Sequence, residues 1–294
     1  MTRTLEVLAT GPLTTVQDLG RPGHAGSGVT RSGAADRAAA RLANRLVGNP
    51  EGAACLEVTL GGLRVRADGD TEVAVTGARG PTRIGDRTVP DHAPFHLRPG
   101  EVLELGTPDA GLRTYLAVRG GIAVPPVLGS RATDQLGRLG PDVVAAGDRL
   151  PVGAPPTAWP PVDHAPVPAP TIGPVELRVR LGPRVDRFTD DAAEDLLRTT
   201  WRARADSNRV GLRLDGAHLA RVDDGELPSE GLVRGAIQVP PGGPPTLFLA
   251  DHPVTGGYPV IAVVLDADVD RAAQVRPGQH VRLRAAAASA GRWS

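Results

Sequence analysis

Residues 229–262 read SEGLVRGAIQVPPGGPPTLFLADHPVTGGYPVIA, and the rest of the chain is best read outward from them. A Ser-Glu-Gly corner, a lone Gln238, the adjacent Asp251 and His252, and a Thr-Gly-Gly-Tyr-Pro turn share about three short apolar strands. Glycines give the backbone freedom, and polar atoms beside apolar strands are what a ligand-lined sheet needs. Asp251 and His252, as strand neighbours, point to opposite faces and make a poor charge-relay pair.

The same pattern repeats along the chain. TEVAVTGA, GEVLELG, LRTYLAVRG, VELRVRLG and PTLFLAD are short Val/Leu/Ile-rich runs closed by Gly, Pro or Asp. Two helices interrupt them. One spans roughly 34–47 with Gly48 as its C-terminal cap. The other starts after Thr189, whose side chain is placed to cap the acidic first turn of DDAAEDLLRTTWRA. Few helices among many strands predict a mostly β protein with closed or sandwiched sheets. Residues 151–170 hold eight prolines and read as a semi-rigid extended linker. The predicted division is therefore 1–150, a linker at 151–170, and 171–294. The halves echo each other weakly, HLRPGEVLELG in the first against QVRPGQHVRLR in the second. An Arg-Pro-Gly turn before an alternating strand is common enough that chance also accounts for it.

Composition narrows the function classes. Basic and acidic residues number 33 each over 294 residues, so no net field recruits nucleic acid or an anionic membrane. Every basic residue is arginine and none is lysine. A G+C-rich genome explains that bias, and its chemical consequence holds regardless of cause. Schiff-base chemistry, a lysine general base, covalent biotin and a Walker-type phosphate loop are all excluded on this chain. The single cysteine, Cys55 in AACLEVTL, reads as a buried inert thiol. No metal-ligand spacing occurs. MTRTLEVLAT lacks the apolar run of a signal peptide and no segment approaches a membrane span, so the expected location is the cytoplasm.

Candidate chemistry gathers in three further blocks. Gln17, Asp18, Arg21 and His24 occupy a glycine-rich N-terminal loop. Asp36 falls in the first turn of the first helix, where it complements the dipole, and Asn44 within that helix has local partners to bond. Glu57 lies in an apolar strand beside Gly61-Gly62, where an unpaired carboxylate is costly. Either an arginine partners it or it works on a ligand. Arg119, Ser130, Arg131, Thr133 and Asp134 follow a Gly120-Gly121 step suited to close backbone packing. In the second half, Ser207, Asn208, Arg209 and Arg213 precede Glu230, Gln238, Thr255 and Tyr258.

Taken in order and spacing, TTVQDLGRPG, SGAAD, LANRLVGNP, LEVTLGG, YLAVRGGI, LGSRATD, SNRVGLRLDG, SEGLVRGAIQVP and TGGYPVIA resemble the allophanate hydrolase subunit 2 family. That family is also called biotin-dependent carboxyltransferase-like, and the likeness runs from about Thr4 to Leu283. The resemblance implies a pair of cyclophilin-like β-barrel units with a few short helices. Stand-alone bacterial members of the family are the C subunit of the ATP-dependent 5-oxoprolinase, which works with 5-oxoprolinase subunits A and B. The complex opens 5-oxo-L-proline to L-glutamate, with ATP used by the complex. In fused relatives the module moves a carboxyl group from carboxybiotin on a carrier to urea, and a third family role is a non-catalytic regulator that binds a kinase inhibitor.

Residues that carry the likeness most specifically are Gln17, Asp18, Arg21, Asp36, Asn44, Glu57, Arg131, Asp134, Ser207, Arg209, Glu230, Gln238 and Tyr258. A lactam amide is a poor electrophile, so phosphorylation of its oxygen creates anionic groups for arginines to hold, here Arg21, Arg131 and Arg209. A carboxylate, Glu57 or Glu230, positions or deprotonates the attacking water. Gln17, Asp18, Asp134, Ser207, Gln238 and Tyr258 complete the expected substrate contacts, with 229–262 as one wall of a site shared with the 17–21 loop and completed by another polypeptide. Two departures stand out. Family members often carry a lysine after Gly-Gly-Tyr-Pro, where this chain has Val260, and a larger apolar residue where Ala35 stands.

Overall fold

The computed structural model describes residues 3–159, 162–223, 225 and 227–287. Pro160 and Pro161 of the predicted linker lie outside them. The chain divides into two compact units, Met1–Ile172 and Gly173–Ser294.

The first unit contains β1 (Thr4–Thr10), β2 (Leu13–Gln17), α1 (Arg37–Leu46), β3 (Cys55–Thr59), β4 (Leu63–Ala67), β5 (Thr71–Arg79), β6 (Thr82–Ile84), β7 (Arg87–Thr88), β8 (Pro94–Leu97), β9 (Val102–Leu105), β10 (Ala110–Val118) and β11 (Arg149–Pro151). They form a six-stranded sheet, β11-β1-β4-β9-β6-β7, and a five-stranded one, β2-β3-β10-β5-β8. Alternation explains the first sheet: in β4, Leu63, Val65 and Ala67 are buried while Arg64 and Arg66 face water. The second sheet is covered on both faces, which is why β10 is buried along its whole length. Leu116 and Val118 join the core between the sheets. Tyr115 and Ala117 face the other way, into a smaller core with Ala40, Ala43 and Leu46 of α1. Asp36 is the N-cap of α1, accepting from Ala39 N at 2.9 Å, and Gly48 follows the helix at φ 72°.

The proline-rich stretch runs along this first unit. The Arg119 guanidinium lies 4.0 Å from the centre of the Trp159 ring and donates to the carbonyls of Pro156 and Ala158. Ala165 N donates to His92 O at 2.9 Å.

The second unit contains β12 (Val175–Leu181), α2 (Asp190–Arg198), β13 (Thr200–Ala203), β14 (Gly211–Asp215), β15 (Glu230–Gly231), β16 (Ala236–Gln238), β17 (Thr246–Phe248), β18 (Thr255–Gly256), β19 (Val260–Val264), α3 (Asp266–Ala272) and β20 (His280–Ala285). Seven of these strands close a barrel in the order β12-β19-β16-β17-β14-β13-β20, with β12 and β20 joined in parallel. Val175, Leu177, Val179, Val281 and Leu283 point into its core around Trp201. The mostly β class holds, and the closed barrel is consistent with the cyclophilin-like unit.

Some local expectations need correction. Residues 200–203 extend the barrel as β13 instead of continuing α2, because Trp201 is fully buried in the barrel core. Thr189 occupies the N-cap of α2, yet its side chain makes no cap bond. Helix α3 adds to the two expected helices, and 229–262 holds five short strand segments. Conversely, the Arg-Pro-Gly echo is real in three dimensions. Glu101 N bonds Arg98 O, and Gln279 N bonds Arg276 O, at 3.1 and 3.0 Å. In return the Glu101 and Gln279 side chains accept from Arg98 N and Arg276 N. Gly100 and Gly278 both sit at φ 82°, and each bonds the carbonyl of an alanine ending a neighbouring strand, Ala67 or Ala203.

Candidate functional site

In the first unit the face of the five-stranded sheet beneath α1 carries a polar rung among small apolar side chains. Register puts Thr15 opposite Glu57, Glu57 opposite Tyr115, and Tyr115 opposite Thr76, so one rung crosses four strands. Glu57 Oε2 accepts from Tyr115 OH at 2.8 Å and from Ala35 N at 2.9 Å, and Oε1 lies 3.6 Å from Arg113 Nε. Tyr115 OH in turn accepts from Asp36 N at 2.7 Å, and Thr76 Oγ1 donates to Ala39 O of α1. The rung therefore fastens the start of α1 to the sheet. Burial first, then the Glu57 and Asp36 carboxylates, pushes the Tyr115 phenol well above its ordinary value and keeps it a proton donor. Of the two readings of Glu57, the arginine-partnered one is observed. Asn44 bonds locally, donating to Ala53 O at 2.8 Å and accepting from Asn49.

Beside this rung, the loop after β2 meets residues 130–134. Asp18 accepts from Gly20 N, Ser130 Oγ and Arg131 N, each at 2.7 Å. Arg21 is buried, donates to Ala132 O, and holds Nη1 3.6 Å from Asp134 Oδ2. Asp134 also takes the Thr30 hydroxyl and Gly137 N. Gln17 Nε2 donates to Thr133 O at 2.9 Å. Gln17 Oε1, Arg21 Nε and Nη1, and Thr133 Oγ1 make no hydrogen bond, so this cluster keeps unused polar capacity. Arg131, half-buried, donates Nε to Val124 O at 2.6 Å. His24 lies apart from the cluster, at the start of a short 3₁₀ turn. Cys55 is sealed beneath, its thiol pushed up chiefly by burial.

The second unit holds the other candidates in separate settings. Arg209 and Asp251 form a fully buried two-bond pair at 2.9 and 3.0 Å. Ser207 Oγ accepts from Arg213 N at 3.1 Å. Glu230 is bound by Arg184, with Nε at 2.9 Å, and that guanidinium holds its carboxyl below the usual range. Gln238 Nε2 donates to Tyr258 O at 2.7 Å. A Cβ on Gly256 would stand 2.8 Å from that same Nε2 and from Leu232 Cδ1, so a larger residue there would push these two side-chain ends aside. Tyr258 is 39% exposed, and Val260 is buried with Leu232, Ala236 and Phe248. His252 Nδ1 lies 2.8 Å from Pro253 O. A cleft of ≈300 Å³ between Arg204, His218, Arg221 and the 240–245 loop is lined by none of the candidate residues.

Sequence reasoning missed Tyr115, Arg113, Thr30 and Arg184. Tyr115 left a trace, being one of only two tyrosines and lying in a matched motif. Arg184 left none, because it stands 46 positions from Glu230. Among the described residues, no group of three or more His, Cys, Asp or Glu could hold a metal ion, and no helix is long and apolar enough to cross a membrane.

A family model, the carboxyltransferase domain, subdomain A and B, matches residues 27–285. The chain belongs to the carboxyltransferase domain A and B family. Among relatives of this carboxyltransferase-family chain, the C subunit of 5-oxoprolinase from Escherichia coli (strain K12) is 40% identical over 280 residues, 94% of this chain and 89% of that one. The crystal structure of TTHA0988 superposes with a TM-score of 0.88 at 34% identity, covering 97% of this chain and 56% of the other. The Kluyveromyces lactis urea amidolyase structure gives a TM-score of 0.88 at 30% identity, covering 96% and 18%. The family chain thus spans just over half of the first solved relative and a small part of the second.

Proposed function

We propose that the chain is the C subunit of a multi-subunit ATP-dependent 5-oxoprolinase, acting in the cytoplasm with subunits A and B to open 5-oxo-L-proline to L-glutamate. The observation that carries this reading is 40% identity to a protein of that name across 89% of its length. Ring opening needs an oxygen-activated lactam, donors for the negative charge that develops, and a positioned water. Arg21 and Gln17 keep buried donor and acceptor atoms without hydrogen bonds, and, enclosed as Glu57 is, they shape the loop after β2 from within. Arg131 and Arg209 are already engaged, with Val124 O in the first unit and Asp251 in the second, and each holds the local shape of its own unit. Of the two carboxylates, Glu57 is enclosed and Glu230 is reachable from solvent, which favours Glu230 for positioning water. Its lowered pKa suits a carboxylate that orients water better than one that removes its proton.

The test combines purified chain with subunits A and B and follows ATP-dependent glutamate release. Release only with all three present is the expected outcome; no release with all three sinks the activity. Glu230→Gln is expected to lose turnover while partner binding survives. A second reading, carboxyl transfer with a biotin carrier to urea or a similar small amide, draws on the likeness to the urea amidolyase structure. Transfer of labelled carboxyl from a carboxybiotin carrier to urea, with no glutamate release, would favour it.

A further inference from the structure

The cleft of ≈300 Å³ in the second unit is built by the turn between β16 and β17 and by the segment that follows β14. Four of the six residues in that turn, 240–245, are proline, and each ring fixes its own φ. Gly243 N bonds Pro240 O at 3.2 Å, and Leu214 N of β14 bonds Pro245 O at 2.9 Å. The turn is thus closed on itself and tied to the barrel, so the space is preformed. Leu214, Leu219, Val239 and Pro245 give it buried apolar walls.

The charges around it are balanced with one exception. Arg204 lines the cleft and is held by two carboxylates, Asp206 at 3.0 Å and Asp215 at 2.9 Å. Arg213 also binds Asp206, at 2.8 Å, so two arginines meet two aspartates. Asp223 is taken by Arg187 at 3.0 Å and by Gly225 N at 2.9 Å. His218, also on the lining, is exposed. Arg221 is left, half-buried and, among the described residues, without a carboxylate partner. Its Nη2 donates to Gly225 O at 2.7 Å, whereas Nε and Nη1 are buried and bond nothing. One hydrogen bond is a weak hold on a guanidinium, which can turn toward an anion and gain the bonds its inward donors lack.

We propose that this cleft binds a compact organic monocarboxylate, with Arg221 as its cationic partner and the leucine, valine and proline walls around its apolar body. One uncompensated cation matches one negative charge, and the Asp215 carboxylate on the lining opposes a dianion such as phosphate. A preformed apolar space suits a small rigid ligand, since little ordering is lost on binding. The proposal is independent of the 5-oxoprolinase reading above.

A titration of the full chain with cyclopentanecarboxylate, followed on the methyl signals of Leu214, Leu219 and Val239, tests it. Cyclopentylmethanol serves as the uncharged counterpart and inorganic phosphate as the competing anion. Saturable shifts are expected, with a dissociation constant of about 1 mM. Arg221→Met is expected to weaken binding by roughly tenfold or more without lowering the thermal midpoint, because it removes buried donors that bond nothing. A purely structural arginine would show the reverse, a lowered midpoint and unchanged affinity. Ala217→Leu keeps the arginine and narrows the cleft, and is expected to weaken the same binding; unchanged affinity there overturns the location. Absence of saturable shifts overturns the site. Equal binding of cyclopentylmethanol overturns the anion assignment, and tighter binding of phosphate overturns the monocarboxylate class.

Discussion

At the scale of single residues, the polar groups that define the candidate set divide by what already satisfies them. Glu57, Arg209 and Asp251 are enclosed and saturated, whereas Arg21 and Gln17 retain unbonded atoms. The buried Arg209–Asp251 pair allows a decisive substitution. Arg209→Met strands the Asp251 carboxylate and is expected to cost about 3–5 kcal/mol, while Arg209→Met with Asp251→Leu recovers most of it. Denaturant midpoints measure both. If the double variant is stable and still supports turnover with its companion subunits, Arg209 is a strut; if stable and inactive, it meets an anion. The resemblance points to Arg209 but not to the role of its partner, because a pair 42 positions apart has no local signature.

Elements show where local chemistry suffices and where it does not. The end of helix α1 is legible from Gly48, whereas its start is later than the expected 34, because Asp36, read as lying in the first turn, is the N-cap. Residues 200–203 depart from the sequence reading because Thr200 and Trp201 are weak helix formers that favour strands and Trp201 is buried. Strand pairing also creates a pH-sensitive contact that no single strand announces. β8 lies against β5 with His96 opposite Glu72. The imidazole nitrogens lie 2.9 Å from Glu72 and 2.9 Å from Asp70, and these carboxylates, Glu72 first, raise its pKa above 6.5. The folded-state value is raised, so the stabilisation is complete below the unfolded value and is lost as pH rises through the folded one. An NMR titration is expected to find the His96 ring protonated beyond the ordinary range, and Glu72→Gln to pull its midpoint down. Partial exposure keeps the effect on stability small.

For the whole molecule, two cores replace one. The large aliphatic cluster of the first unit lies between Leu5 and Val152, and that of the second between Val175 and Leu283. A segment spanning 173–287 is expected to unfold cooperatively on its own in a calorimeter; a broad, non-cooperative melt would count against it. The mostly β class is readable from alternation in VELRVRLG and its neighbours, while the shared turn at HLRPG and QVRPG, open to chance in the sequence, is established by its bonds. The course of 151–170 is not, since proline content specifies stiffness and leaves open what the stiff segment lies against. Here Arg119 and His92 decide it. Finally, Cys55 is the only cysteine and is enclosed with a suppressed thiolate. Any cysteine engineered onto the surface, at Tyr258 or Leu136 for example, becomes the sole site for a maleimide dye. The native chain is in that sense already a background-free scaffold for single-label fluorescence or spin-probe work.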